Sequence, residues 1–463
     1  MLNIFEIKNY CHAKLMVESW PIGHSSTWCV LGTNDSGKQE LGQLLSREIT
    51  PISVEKMLLP APNDIAIISF EAQQKIYEHE LKIDNSDFID QQDLGTLVKE
   101  FLPQDKLNDP LIKLVGLAHL LTSGYRQLSS GESRKLLILS ALLHEKKMII
   151  CEDPFDSLDQ ESSQTLSTLF KGIIKNSNIT LILLLGNRID IPDWCEQLAV
   201  IKQGNFNVIG NQHCAETQTK LDDFFKNDDD KITLPEQFYA TKLNAHDYLV
   251  KLVNGTVRYQ SKTVFQGLNL SVKPQQHTLI TGRNGSGKST LLHLITGECT
   301  QCYSNDLTLF GHQRGSGESI WQLKKDMGIV TPEFHRQYRV NSDLLTVVLS
   351  GFFDSIGLYQ QPEKYHITYA EQWLKKVGLN HKEKTLFNDL SFGEQRLALI
   401  VRALIKAPLL LILDEITQGL DEFNRHRILK IIKMIMKESN STLLFVTHRK
   451  DELLDTFTQH IKL

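Results

Sequence analysis

The segment Gly282-Arg283-Asn284-Gly285-Ser286-Gly287-Lys288-Ser289-Thr290 combines the residue types that phosphate chemistry needs. Its glycines let the backbone curl so that successive N–H groups converge on an anion. Lys288 is long enough to reach the β- and γ-phosphates of a nucleotide, and the Ser289 hydroxyl is a hard oxygen ligand suited to Mg2+. A glycine-rich turn opening an ordinary helix is the plainer alternative, but the full GxxxxGK[ST] pattern in its setting favours a phosphate loop. A weaker copy, Gly32-Thr33-Asn34-Asp35-Ser36-Gly37-Lys38-Gln39, carries Gln39 where a hydroxyl belongs.

Such loops work only when a buried strand delivers them and a helix leaves them, so that the helix N-terminus points at the anion. The apolar Thr278-Leu279-Ile280 reads as that strand and Leu291-Leu292-His293-Leu294-Ile295 as the start of that helix. In the first half, Thr27 to Leu31 is the matching strand, followed by a strand at Ile65 to Phe70 and a polar, helix-leaning stretch. Leu128-Ser129-Ser130-Gly131-Glu132 starts a helix that ends near His144. Met148 to Cys151 is a buried strand running into Glu152-Asp153, and Leu181 to Leu185 is another. The second half repeats the order: Leu390-Ser391-Phe392-Gly393-Glu394, then Leu409 to Leu413 before Asp414-Glu415, then Leu443 to Val446 before Thr447-His448. Leu128 to Glu152 and Leu390 to Asp414 are both 24 residues, and Asp153 to Asp159 and Glu415 to Asp421 are both 6. Kept spacings of this kind mark an internal duplication.

The expected organisation is a first domain over 1–211, an acidic linker over 212–247 containing Asp222, Asp223, Asp228, Asp229 and Asp230, and a second domain over 248–463. The alternation of buried strands and helices implies an α/β fold, with a doubly wound, mostly parallel sheet in each half and the nucleotide beyond the carboxyl ends of its strands. A chain of 463 residues has room for such domains. The net charge of −5 gives no general electrostatic case for nucleic acid or an acidic membrane surface. No basic, apolar leader opens the sequence, and no run of about 18 apolar residues occurs, so neither a signal peptide nor a membrane span is expected. Seven scattered cysteines fit a reducing cytosol, and Cys299-Thr300-Gln301-Cys302, lacking a second pair, reads as two loop thiols rather than a zinc site.

Taken together, a phosphate loop, an LSxGE helix start roughly 100 residues later, an acidic pair after an apolar strand and a histidine after the last strand resemble the ABC ATPase domain, here twice. Tyr303 to Gly311, Arg314-Gly315-Ser316-Gly317-Glu318 and Leu349 to Gly357 are more narrowly similar to tandem ATPases described as molybdenum-transport ATP-binding or photorepair proteins. The resemblance implies two P-loop NTPase domains, each with a helical subdomain. They would pair within the chain so that each ATP lies between the phosphate loop of one and the LSxGE signature of the other. Carried over by residue, one site would use Gly282 to Thr290 with Ser129, Gly131 and Glu132. There Tyr259 would stack on adenine, Ser289 and Asp414 would hold Mg2+, Glu415 would act as general base beside Lys288, and His448 would hold the attacking water.

The other site would use Gly32, Asn34, Gly37, Lys38 and Gln39 with Ser391, Gly393 and Glu394, and it departs from the pattern. The Gln39 amide is a poorer magnesium ligand than a hydroxyl. Glu152-Asp153 reverses the acid order, drawing the presumed base back by roughly 1 Å, a misplacement that can cost roughly 10²-fold in rate. Asn187 stands where the second half has His448, each followed by arginine (Arg188, Arg449). The site is expected to bind ATP with little or no hydrolysis. The family's coupling glutamine is expected at Gln73 or Gln74 in the first half. In the second, Pro332-Glu333 follows the strand, leaving Glu333 or Gln337 to substitute.

The resemblance therefore implies an ATP- and Mg2+-dependent ATPase, cytoplasmic or on the cytoplasmic face of a membrane, that powers a permease subunit, with molybdate as the cargo that the family's name suggests. Two other readings are a soluble ATPase acting on ribosomes or DNA, against which the acidic linker weighs, and a nucleotide-gated regulator of low turnover. Phe334, Tyr338, Phe352, Phe353, Tyr359 and Trp373 are expected mostly in the core of the helical subdomain rather than in a permease dock.

Overall fold

The computed structural model describes residues 5–34, 36–82, 94–156, 158–176, 178–226, 235, 247–259, 262–338 and 340–463. The chain divides into two compact units, Met1–Asn227 with Asp421–Phe423, and Asp228–Leu420 with Asn424–Leu463.

In the first unit, strands β1 (Phe5–His12), β2 (Leu15–Ile22), β3 (Thr27–Gly32), β4 (Lys56–Leu58), β5 (Ile65–Ile68), β6 (Met148–Glu152), β7 (Thr180–Leu185), β8 (Gln197–Lys202) and β9 (Asn205–Asn211) form, among the described residues, one sheet. Its order is β4-β1-β2-β9-β8-β3-β7-β6-β5. From β8 to β5 every neighbouring pair is parallel. The continuous apolar runs are explained by burial on both faces. Cys29, Leu31, Ile149, Cys151, Leu181, Leu183 and Leu185 join one core, while Trp28, Val30, Met148, Ile150, Ile182 and Leu184 join the other.

The second unit repeats the parallel core as β15 (Met327–Val330), β16 (Leu410–Asp414), β17 (Thr442–Val446), β12 (Thr278–Thr281) and β18 (Gln459–Lys462), in that order. Leu411, Leu413, Leu443 and Phe445 face the helical side, and Leu410, Ile412, Leu444 and Val446 the other. A separate antiparallel sheet holds β10 (Val250–Tyr259), β11 (Lys262–Val272), β13 (Asp306–Leu309) and β14 (His312–Gln313), in the order β11-β10-β13-β14. Both units thus carry an antiparallel wing beside the parallel core. In the first, β9 joins wing to core by pairing with β2 and β8.

Two sequence expectations shift. Phe70 was expected at the end of a strand, but β5 stops at Ile68 and Phe70 opens the helix Phe70–Lys82. The stretch expected as linker from 212 contains a helix, Ala215–Phe224, whose Thr217 and Leu221 are buried. Leu221 belongs to the first unit's core, so folded structure extends into that stretch, whereas Asp228, Asp229 and Asp230 lie outside the described residues. The six aromatics lie mostly in or against the core, as expected: Tyr338 and Trp373 are buried and Phe334 and Phe352 pack against it, while Phe353 is half-buried and Tyr359 is 85% exposed. Among the described residues no helix is long and apolar enough to cross a membrane.

Candidate functional site

In the second unit, strand register brings the chemistry to one edge. β12 pairs in parallel with β17 and β18, and β16 pairs with β17 so that Asp414 lies opposite Val446. The phosphate loop leaving β12, the acidic pair leaving β16 and Thr447-His448 leaving β17 therefore emerge together at the carboxyl ends of adjacent strands.

Gly285 (φ 78°) and Gly287 (φ 98°) take the left-handed turn that only glycine adopts without strain. Gly287 caps the helix Lys288–Thr296 with no side-chain cap, leaving the helix start to an outside acceptor. A Cβ on Gly282 would lie 2.6 Å from Ser286 Oγ and 2.7 Å from the Leu463 carbonyl oxygen, so the loop is closed tightly upon itself. Ser286 Oγ is buried without a partner inside this loop. Lys288, 6% exposed, donates its ammonium to the carbonyl oxygens of Gly282 (3.1 Å) and Arg283 (2.9 Å). Arg283 and Asn284 are exposed on the outer turn, and Thr290 is half-buried behind it. An orphan hydroxyl, a buried ammonium and an uncapped helix start suit a polyphosphate.

Ser289 donates its hydroxyl to Asp414 Oδ2 at 3.4 Å. Burial, followed by the neighbouring Glu415 charge, pushes the Asp414 carboxyl up to about 7. A hydroxyl and a carboxylate facing each other at the loop are a donor set that fits Mg2+, whose charge would favour the ionised acid. Glu415 itself sits at φ 43°, held there by its N–H to the Val446 carbonyl at 3.0 Å. Its Oε1 lies 2.6 Å from His448 Nε2, a close charge contact without hydrogen-bond alignment.

Lys288, Ser289, Asp414, Glu415 and His448 thus converge. Tyr259 does not join them: it is 51% exposed, with its hydroxyl 3.7 Å from Cys299 Sγ. Sequence reading missed Val264 and Phe265 of β11, the atoms a Cβ on Gly287 would meet, at 2.6 and 3.2 Å. The Arg314-to-Glu318 motif is a turn in which the Glu318 carboxylate accepts from Arg314 at 2.5 Å and from the Gly315 N–H at 3.0 Å, while Arg314 also donates to the Tyr303 hydroxyl at 3.1 Å. Cys299 and Cys302 are free, buried thiols, and the described residues hold no metal-ligating cluster.

The first unit has the same frame with different contacts. Gly32 ends β3, and Gly37 (φ 101°) caps the helix Lys38–Leu45. Asp153 repeats the strained conformation of Glu415 (φ 40°), with its N–H on the Leu184 carbonyl at 2.9 Å. Here, however, Lys38 Nζ lies 2.8 Å from Asp153 Oδ2 and 4.0 Å from Glu152 Oε1. Burial disfavours the charged lysine, yet these two carboxylates hold its pKa above the usual value. Gln39 donates to Glu71 Oε1 at 2.5 Å, and the Ser36 hydroxyl is bound by the Thr33 carbonyl at 2.7 Å. Asn34 stands on the same loop, and Asn187, 5% exposed, follows β7.

Both signatures are capping boxes. Ser129 accepts from the Glu132 N–H at 3.3 Å while Glu132 Oε2 accepts from the Ser129 N–H at 2.8 Å. Ser391 and Glu394 repeat this at 3.5 and 3.1 Å. Glu132 and Glu394, expected with the nucleotide, are thus engaged in starting their helices, and Gly131 and Gly393 are buried in the first turns.

The coupling glutamines also gain a place. Gln73 is buried and accepts from Ser133 Oγ at 2.8 Å, whereas Gln74 bonds only within its own helix, to Glu78. Five residues past the β15 end, as Gln73 is past β5, stands His335, whose Nε2 meets Gln395 Oε1 at 3.0 Å. Gln395 and Ser133 are each four residues past a signature serine. His335, not foreseen from sequence, takes the place of Gln73; Glu333 lies 3.4 Å from His293, and the Gln337 side chain is outside the described residues.

Comparison with known proteins agrees with this frame. The ABC transporter family pattern matches residues 265–418. The ABC transporter ATP-binding protein ModF of Escherichia coli (strain K12) is 35% identical over 460 residues, covering 97% of this chain and 93% of that protein. An uncharacterized ABC transporter ATP-binding protein of Schizosaccharomyces pombe is 23% identical, over 94% of this chain and 91% of that one. Among solved structures, an archaeal ribosome recycling factor, aABCE1, in complex with the ribosomal stalk protein aP1, shares the fold with a TM-score of 0.59 at 17% identity, over 95% of this chain and 83% of that one. On the full-length likeness to ModF and the two phosphate-loop units, the chain belongs to the ABC transporter ATP-binding proteins and is a tandem ATPase of that family.

Proposed function

We propose that the second unit is the hydrolytic one, acting on MgATP, and that the first binds nucleotide with little turnover. The observation that carries this reading is the facing pair Ser289 and Asp414, with no hydroxyl at the corresponding Gln39. Phosphate oxygens would replace the Gly282 and Arg283 carbonyls on Lys288, and the loop N–H groups would take the rest of the charge. Ser289 and Asp414 would hold Mg2+, which when bound neutralises charge on the transferring phosphoryl group. Glu415 would orient the attacking water and accept its proton, and His448, beside it, would keep that carboxylate aimed. In the first unit, Asp153 is already committed to Lys38 and is one methylene short for the same task.

The work done would be transport. The relative's name, an ABC transporter ATP-binding protein, supports a transport role; coupling to an integral-membrane permease at the cytoplasmic face, with molybdate as the cargo class, follows from the resemblance to the molybdenum-transport ATP-binding proteins. The domain limits that go with this reading are 1–211, extended by the helix Ala215–Phe224, and 248–463, with the connection between. Turnover of MgATP by wild type, Lys288→Ala and Glu415→Gln protein tests the chemistry, and both variants should lose about 10²-fold or more. Recovery with washed membranes and a hydrophobic subunit tests the transport role. Salt-sensitive recovery with ribosomes or nucleic acid instead would overturn it.

A further inference from the structure

We infer that Glu452 is a positioning residue for hydrolysis in the second unit, clamping the loops that carry Glu415 and His448 into one rigid arrangement. This rests on the reading of that unit as the hydrolytic one. Glu452 is fully buried, an uncommon place for a carboxylate unless it is paired and hydrogen-bonded. Each of its oxygens is bound to a different loop. Oε1 accepts the hydroxyl of Thr417, two residues past Glu415, and Oε2 accepts the hydroxyl of Thr447, the residue before His448. Both threonines are buried, at 4% and 2% exposure. Thr447 Oγ1 also accepts the Arg449 N–H at 3.0 Å, so the turn that carries His448 is tied on both sides. Arg449 Nε at 3.9 Å supplies a nearby positive charge.

The duplication supplies an internal control. Counting from Glu415 and His448 to Asp153 and Asn187, the counterparts of Thr417, Thr447 and Glu452 are Phe155, Gly186 and Ile191. None of the three can make the clamp, and Phe155 and Ile191 instead pack against the first unit's core. All three members are polar in the half that keeps the Ser289, Glu415 and His448 pattern, and all three are lost in the half that does not. A general folding requirement of this α/β frame would have kept them in both.

A carboxylate spanning two loops fixes the separation of the groups those loops present. Since a displacement of about 1 Å at a reacting group can cost roughly 10²-fold, Glu452→Ala should lower kcat by about 10- to 100-fold. Affinity for MgATP, read by a fluorescent ATP analogue, should change less than about threefold, because Lys288 and its loop are not touched. Thr417→Val with Thr447→Val, which keeps the volume and removes both donors, should reproduce the kcat loss without a truncated side chain. Because Glu452 acts through the two groups it holds, adding Glu452→Ala to a Glu415→Gln, His448→Ala protein should slow its residual turnover no further. A merely structural residue would instead lower affinity and kcat together and add to the loss in that protein, and either outcome overturns the clamp. So does a kcat within about twofold of wild type in both clamp variants while Lys288→Ala abolishes turnover. Should Lys288→Ala also leave turnover intact, the assignment of the hydrolytic unit fails, and the clamp with it.

Discussion

Lys38 Nζ lies 2.8 Å from Asp153 Oδ2, whereas its counterpart Lys288 rests on two carbonyl oxygens of its own loop. The two lysines occupy the same frame, each behind a left-handed glycine at the start of a helix. A polyphosphate entering the first loop must displace a carboxylate hydrogen-bonded to its lysine at 2.8 Å, and one entering the second must displace the Gly282 and Arg283 carbonyls. Charge-assisted hydrogen bonds contribute roughly 1.5–3 kcal/mol, so the first lysine starts with a competitor of real weight.

Asp153→Asn should therefore raise nucleotide affinity at the first site, by about three- to tenfold given partial recovery of that energy. The measurement is titration with a fluorescent ATP analogue in a Lys288→Ala background, where the second loop is disabled. Unchanged or weaker binding would show that Lys38 is not held back by this pair.

The Ser289 hydroxyl faces Asp414, and Gln39 in its place donates to Glu71 instead. Ser289→Ala should raise the Mg2+ concentration needed for half-maximal turnover by about tenfold, leaving ATP binding without Mg2+ close to wild type. Magnesium titration of steady-state turnover checks this. An equal loss of metal-free binding would instead mark the hydroxyl as a phosphate ligand.

The parallel cores were legible because both faces of their strands are buried, which writes runs such as Leu409 to Leu413 into the sequence. The catalytic edge was legible because the duplication preserved spacing around Asp414 and His448. The antiparallel wings were not: β2, with its buried and exposed residues interleaved over Leu15–Ile22, is half-polar and offers no long apolar run. The helix Ala215–Phe224 hid for a similar reason, since Leu221 is its one fully buried apolar residue in an otherwise polar segment. His335 and Glu452 were missed because each has a partner far along the chain, Gln395 and Thr417 respectively. Only comparison of the two halves at matched offsets, Gln73 against His335 and Ile191 against Glu452, would have flagged them.

His335 stacks on Phe392 of the signature at 4.6 Å between ring centres and is buried. Burial, and then the Arg396 charge, lower its pKa from 6.5 to about 4. The unfolded chain thus takes up a proton near pH 6.5 that the folded unit refuses until about pH 4. The stability that comes from keeping this ring neutral is full above pH 6.5 and is lost as pH falls toward 4. At about 1.4 kcal/mol per pH unit, the second unit should lose about 2 kcal/mol between pH 6.5 and 5 through this residue. Urea unfolding of wild type and His335→Gln, which installs the residue of the first unit, should show the variant with the flatter pH dependence. Parallel curves would remove His335 as the cause.

The aromatic residues of the second unit's helical part separate packing from surface roles. Trp373, 1% exposed, lies in the same core as Tyr338, Leu374 and Phe387, while Tyr359 is 85% exposed. Trp373→Ala removes a large side chain from a closed core and should destabilise the second unit by about 3–5 kcal/mol. Tyr359→Ala should shift unfolding by no more than about 0.5 kcal/mol. A dock for a permease helix built from exposed aromatics would invert the functional pattern: Tyr359→Ala would then reduce recovery with membranes while leaving stability and basal turnover alone. Denaturant unfolding, basal ATPase and membrane recovery of the two variants read these effects separately. Loss of membrane recovery in Trp373→Ala alone, in step with unfolding, would assign Trp373 to the core and leave Tyr359 outside the contact.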